Sequence, residues 1–300
     1  MSSNDAFEAR LNDCANTITA LLKDILGSHR LVVGTPHRLL DAIRHGALTG
    51  GKRLRPFLVL ETAKLFSGDR QAALDVAVAL ECIHCYSLIH DDLPAMDDDD
   101  LRRGKPTVHK AYDDATAILA GDALLTLAFG LIADAESMPA TARVALISSL
   151  SRRAGASGMV GGQMLDMAAK DHDLKDIEIT RMQAMKTGAL LAFACEAGAI
   201  IGSAADDDRA RMRHFGEVLG LAFQLADDLL DETSDPQTLG KATNKDRSQG
   251  KKTLLALHGM QWTRDKLYDL AEEAEGLLQP YGEKAKILAE ATRYITRRVR

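Results

Sequence analysis

Six of the ten residues from 91 to 100 are aspartate, in the run Asp91-Asp92-Leu93-Pro94-Ala95-Met96-Asp97-Asp98-Asp99-Asp100. A second acidic group, Asp227-Asp228-Leu229-Leu230-Asp231, closes an apolar segment far downstream. Hard carboxylate oxygens gathered in this way suit Mg²⁺, which commonly shares its coordination sphere with substrate phosphates. Cations flank both groups. Gly50-Gly51-Lys52-Arg53-Leu54-Arg55-Pro56 sets three positive side chains on a glycine-opened turn at a helix start, where backbone N–H groups and the helix dipole favour anions. Leu101-Arg102-Arg103-Gly104-Lys105-Pro106 follows the first aspartates, and Gly240-Lys241 and Gly250-Lys251-Lys252-Thr253 follow the second group. Arginine matches phosphate oxygens bidentately. The combined chemistry is that of a metal-dependent enzyme acting on a diphosphate. Gly250-Lys251-Lys252-Thr253 is not a P-loop, because it lacks the preceding glycine spacing and the strand.

These residues need rigid carriers, and the chain reads as helix after helix. Alanine and leucine are abundant, and alternating β-branched runs are nearly absent. The pattern predicts helices over 5–27, 36–46, 56–67, 70–92, 113–135, 139–153, 156–170, 175–201, 207–232, 249–258, 262–279 and 282–297. Gln224, Asp227, Asp228 and Asp231 fall at i, i+3, i+4 and i+7, which makes one polar stripe on an otherwise apolar helix. A solvated face would carry lysine and arginine among its acids, and residues 216–235 contain neither. Upstream, His84, Ser87 and Asp91 share a helix face. Pro94 ends that helix near Asp92, so that Asp97 curls back from the following turn toward the same ion. Crowded carboxylates raise one another's pKa, and a bound cation relieves them.

Composition sets the outer bounds. The chain has 300 residues, 46% hydrophobic and 27% charged, with 37 Lys and Arg against 43 Asp and Glu, a net charge of −6. That balance argues against a nucleic-acid binder, whose mark is a basic patch. No Gly/Ser-rich linker separates the acidic groups from the basic ones, so one all-α domain over 1–300 is expected. The N-terminus lacks a basic stretch followed by an apolar core, and no uninterrupted apolar span is long enough to suggest a transmembrane helix. Four cysteines, Cys14, Cys82, Cys85 and Cys195, read as buried free thiols in a reducing cytoplasm.

With these residues in place the chain resembles the trans-isoprenyl diphosphate synthases of the short-chain bacterial type, the farnesyl and geranylgeranyl diphosphate synthases. The carrying motifs are GGKRLRP (50–56), ECIHCYSLIHDDLPAMDDDDLRRGKPTVH (81–109), GMVGGQMLDM (158–167), MKTGALL (185–191), FQLADDLLD (223–231) and LGK (239–241). The resemblance implies an all-α bundle around a deep central cavity, usually homodimeric. It implies three Mg²⁺ ions when the allylic diphosphate is bound, with Asp91, Asp97 and Asp227 as ligands and Asp92 and Asp231 in support. It assigns Arg102, Lys186 and Lys241 to the allylic diphosphate. Gly51, Lys52, Arg55, His84 and Arg103 go to the isopentenyl diphosphate. Thr187 and Gln224 line the place where the allylic cation forms, and Gln163 and Asp166 act as a supporting polar pair.

Product length is the finer expectation. Tyr86 lies five residues before Asp91, about 7.5 Å deeper along a helix, with small Ser87 beside it. An aromatic there, together with the Pro94-Ala95 insertion, resembles the farnesyl (C15) pattern, with C20 the alternative. Three rivals use some of the same residues. A class I terpene cyclase needs a different second metal motif and no site at 51–55. A His-Asp metallohydrolase reads His90-Asp91 as its ligand pair. A Ca²⁺-binding scaffold leaves Lys52, Arg55, Arg102 and Arg103 unexplained.

Overall fold

The computed structural model describes residues 3–169, 174–233 and 253–297. Within them the chain is almost entirely helical. In order come α1 (Ser3–Gly27), α2 (His29–Val32), α3 (His37–Ala47), α4 (Leu54–Leu65) and α5 (Arg70–Asp91). A two-strand ribbon follows, β1 (Leu101–Arg102) and β2 (Lys105–Pro106). Next are α6 (Val108–Ala111), α7 (Asp114–Ala133), α8 (Ala140–Ala154), α9 (Met159–Ala168) and α10 (Asp176–Gln183). A π-turn, Ala184–Gly188, runs directly into α11 (Ala189–Ile201), followed by α12 (Asp206–Thr233). The described residues end with α13 (Leu254–Leu278), a 3₁₀ segment (Gln279–Ala285) and α14 (Lys286–Arg297).

The centre is built from the helices whose apolar residues run all the way round. In α11 every residue from Ala189 to Ile200 except Glu196 is buried, and α5 buries fourteen residues from Ala72 to Ile89. A helix apolar on all sides belongs inside. α11 packs on α4, α8 and α12, while α5 packs on α4 and α7. All four cysteines are buried free thiols. Burial pushes the thiols of Cys14, Cys85 and Cys195 up to about 12.

Three details differ from the sequence expectation. The 175–201 segment is not one α-helix, because the π-turn interrupts it. The segment after the aspartates forms a tight two-strand hairpin in a chain expected to be all helical. Its turn residues Arg103 and Gly104 both have positive φ (54° and 75°), as a two-residue turn matched to strand twist requires. Third, Arg70–Asp91, Asp114–Ala133 and Asp176–Ile201 are each long and apolar enough to cross a membrane by length and composition. In the first and last of these the apolar windows are 78% and 72% buried in the protein, so core packing accounts for their composition. The middle one, α7, has 39% of its window buried.

Candidate active site

Pro94 works as the sequence suggests. α5 stops at Asp91, and the chain folds back so that Asp97 N–H donates to the Asp91 carbonyl at 2.9 Å. Asp98 N–H and Asp99 N–H close the turn on Leu93 O (3.1 Å) and Asp92 O (3.2 Å). Asp91 and Asp97 are thus brought together across one turn. The carboxyl of Asp91 is pushed up to about 6. Burial is the main cause and the charges of Asp97 and Asp92 add to it, while Lys186 and Arg102 pull the other way. A crowded set of hard oxygens with unrelieved repulsion is chemically suited to a divalent cation.

Asp92, by contrast, points inward. It is 2% exposed and grips Arg102, whose Nε lies 2.8 Å from both carboxylate oxygens. Asp99 is a second, looser partner at 3.8 Å. The hairpin therefore sends its two arginines to different jobs. Arg102 is held against the acidic turn. Arg103 swings to the other side and donates to the Gly50 carbonyl.

There Arg103 meets the basic turn. Gly51 has φ +130°, a backbone conformation that L side chains rarely adopt, and it packs beside the Arg103 guanidinium, where a Cβ would sit 2.6 Å from Nη1. Gly51, Lys52, Arg55, His84 and Arg103 line one cavity of about 250 Å³ together with Arg53, Glu81, Leu191, Phe223 and Tyr294. All five residues assigned to the isopentenyl diphosphate share this cavity. His84 is held well below the usual histidine range by burial first, then by Arg55, Arg103, Arg53 and Arg102. It is a neutral imidazole at pH 7. Arg55 is also lowered by burial, against the pull of Glu81 and Asp227. Lys52 Nζ donates to the Tyr294 hydroxyl at 2.7 Å.

Arg53 is the exception among the three cations of that turn. It sits at φ +50° and is 3% exposed. Its guanidinium is paired with buried Glu81 and donates to the Ala47 carbonyl at 2.9 Å. It is a structural ion pair under the cavity rather than a free phosphate contact. Neither Glu81 nor Tyr294 has a role that residue spacing predicts. The first hides in an apolar helix, and the second arrives from the far end of the chain.

The π-turn joins the two acidic regions. Its extra backbone residue aims two adjacent side chains, a common use of such turns at functional sites. Lys186 Nζ contacts Asp166 at 2.6 Å and also acts on Asp91. Thr187 donates to Gln224 Oε1 at 3.1 Å, and Gln224 donates to Asp228 at 2.8 Å. Close packing needs glycine here. A Cβ on Gly162 would meet Lys186 N at 2.2 Å, and one on Gly220 would meet Gly188 Cα at 2.4 Å.

The stripe on α12 divides in the same way as the first run. Asp228 is buried and also accepts from Gln183 at 3.4 Å, whereas Asp227 is half-buried and Asp231 exposed. Gln163 keeps a buried Oε1 without a protein partner, so of the supporting pair Asp166 is the one engaged, on Lys186. Tyr86 is 6% exposed, its ring edge-on to His90 at 5.7 Å, and Ser87 donates to His84 O at 3.0 Å. His90 Nε2 lies 3.0 Å from the Ile118 carbonyl on α7, so that ring nitrogen is engaged away from the aspartate turn. Lys241 lies outside the described residues, as do Gly240, Gly250, Lys251 and Lys252.

The raised carboxyl gives a pH signature. The folded protein keeps a proton on Asp91 between the ordinary 3.8 and about 6, where the unfolded chain has released it. In metal-free protein, stability from this group is present below 3.8 and is lost as pH rises through about 6. Mg²⁺ must displace that proton, so its apparent affinity rises with pH and levels above about 6. Calorimetric Mg²⁺ titrations between about pH 5 and about pH 7 check this. An affinity flat across that range contradicts it.

Known proteins resemble this chain over most of its length. The family model described as polyprenyl synthetase matches residues 36–291. A farnesyl diphosphate synthase of Escherichia coli (strain K12) is 46% identical over 253 residues, 82% of this chain and 84% of that protein. A heterodimeric geranylgeranyl pyrophosphate synthase large subunit 2 of Arabidopsis thaliana is 40% identical over 270 residues, 89% of this chain and 72% of that one. Among solved structures, an apo FPP/GFPP synthase from Zymomonas mobilis matches with a TM-score of 0.86 at 43% identity, over 97% of this chain and 99% of that one.

Proposed function

We infer the reaction from one premise: this chain belongs to the polyprenyl synthetase family. It is a short-chain trans-prenyltransferase that joins isopentenyl diphosphate head-to-tail to an allylic diphosphate, dimethylallyl or geranyl, with farnesyl diphosphate as the product. The observation that carries this reading is the cavity shared by Gly51, Lys52, Arg55, His84 and Arg103. It is a second cationic seat for a diphosphate, beside an acidic seat suited to Mg²⁺.

In this reading Asp91, Asp97 and Asp227 would hold three Mg²⁺ ions when the allylic diphosphate is bound, with Asp92 and Asp231 in support. When bound, Mg²⁺ offsets the negative charge that develops on a departing diphosphate. Arg102, Lys186 and Lys241 bind the same diphosphate, and preorganised positive groups of this kind are the electrostatic form of catalysis. The allylic C–O bond breaks with its electron pair leaving on diphosphate. The double bond of isopentenyl diphosphate attacks the allylic carbon, and a proton is then lost to the diphosphate released. Thr187 and Gln224, linked to each other, present oxygens where the cation forms. Buried apolar walls keep water from quenching it.

Incubating the protein with Mg²⁺, isopentenyl diphosphate and each starter, then sizing the dephosphorylated prenyl alcohols, tests the reading. A C15 alcohol is the expected product, and no condensation product from any starter would overturn it. Relatives include geranylgeranyl synthases as well, so the length control needs its own test. Tyr86→Ala removes the buried ring below Asp91 and is expected to lengthen the product to C20 or beyond. Radio-HPLC showing unchanged length removes Tyr86 as the floor.

We read the assembly as a homodimer. Ile118 and Leu119 of α7 are exposed at 44% and 56% on a helix of strongly apolar composition, the kind of face that a second copy covers. Sedimentation is expected at twice 32.5 kDa, and a monomer at micromolar concentration contradicts it.

A further inference from the structure

We propose that Asp98, Asp100 and His109 form a separate site for a transition-metal dication of the Zn²⁺ or Co²⁺ class. One ligand atom from each lies within 4.8 Å of the others. None of the three is among the residues to which the prenyl-transfer reading gives a role, and the inference does not rest on that reading.

The histidine is what turns an acidic turn into a site. His109 is 6% exposed, and its Nε2 is buried with no protein partner. A buried imidazole nitrogen left unpaired costs free energy in a finished fold, so a partner is missing from the protein atoms alone. The tautomer follows from the neighbours. Thr107 Oγ1 has a single hydrogen and donates it to the Asp99 carbonyl at 2.8 Å. Its contact with His109 Nδ1 at 3.1 Å is therefore Nδ1–H donating to the hydroxyl. In the neutral ring Nε2 then carries the lone pair. Metal-binding histidines are commonly fixed in this way, by a hydrogen bond from the other ring nitrogen.

The carboxylates come from the turn that Pro94 creates. Asp98 is held at φ +48° and Asp100 ends the turn. Lys110 Nζ lies 2.9 Å from Asp100 Oδ1, a contact exposed to solvent. One imidazole and two carboxylates favour a transition metal over Mg²⁺, and three protein ligands leave room for water. An ion here ties the aspartate turn to α6 on the far side of the hairpin, and so braces the hairpin that carries Arg102 and Arg103.

The test uses full-length protein stripped with EDTA and returned to excess Mg²⁺, titrated with Co²⁺ and followed by visible absorption and calorimetry. Wild-type protein and Asp91→Ala are expected to bind one Co²⁺ per chain that Mg²⁺ does not displace. His109→Gln, and separately the double change Asp98→Asn with Asp100→Asn, are each expected to weaken that binding at least about 100-fold, beyond the loss typical for a group that merely supports a ligand. Circular dichroism confirms that each variant is folded. If His109→Gln does not fold, the exposed double variant decides alone. The proposal is overturned if wild type binds no Mg²⁺-resistant Co²⁺, if either folded variant binds as wild type does, or if Asp91→Ala abolishes the binding.

Discussion

Asp91→Ala and Asp227→Ala are each expected to lower turnover at least about 10²-fold at saturating Mg²⁺, the scale of losing one preorganised electrostatic contact. The two residues sit on different helices. Asp91 ends α5 and is electrostatically coupled to Lys186 on the π-turn. Asp227 stands on α12 one turn from Gln224, which bonds to Thr187 on that same π-turn. Loss of either should therefore depress kcat rather than only raise KM. Steady-state kinetics with both diphosphates saturating decides this, and near-normal turnover in both variants removes their role. Asp228→Ala makes an informative neighbour. Its carboxylate accepts from Gln183 and Gln224, so its loss frees the Gln224 amide and acts through position rather than through metal.

Arg53→Ala is expected to cost stability on the order of 3–5 kcal/mol, because it strands Glu81 as a buried charge without its partner. Urea denaturation of the metal-free protein measures it. Pairing the change with Glu81→Leu should restore much of the loss, since a buried ion pair is often replaceable by apolar groups while a broken one is not. A change within about 1 kcal/mol for Arg53→Ala contradicts the assignment of that residue to the frame. Lys52→Ala and Arg55→Ala face the cavity instead and are the comparison for substrate binding.

This contrast marks where sequence reading stops. Lys52, Arg53 and Arg55 look alike on a glycine-opened turn, and spacing alone puts all three near an anion. The left-handed backbone at Arg53 turns it inward to Glu81, and only the packed helices show that an acid waits there. The two aspartate runs divide for the same reason. Helical spacing places Asp227, Asp228 and Asp231 on one stripe, but burial separates them. Pro94 was legible, and the return of Asp97 to Asp91 follows from it. The π-turn was not, because one inserted residue leaves the apolar pattern of 175–201 nearly unchanged. Tyr294 was out of reach for another reason: its contact with Lys52 spans most of the chain, and no local pattern encodes that. The uniformly apolar character of α5 and α11 made the helical class plain, since such helices must be packed around by others.

The central claim is that carboxylates from α5 and α12 act on one diphosphate through Mg²⁺, beside a cationic seat for a second. The most direct measurement is a crystal structure of the protein with Mg²⁺, isopentenyl diphosphate and a thiolo analogue of the allylic diphosphate that cannot ionise. The account predicts Asp91, Asp97 and Asp227 coordinating Mg²⁺ on the same diphosphate, with the isopentenyl diphosphate against Lys52, Arg55 and Arg103. An allylic diphosphate bound elsewhere, or held by metal from Asp91 and Asp97 with Asp227 taking no part, would contradict it.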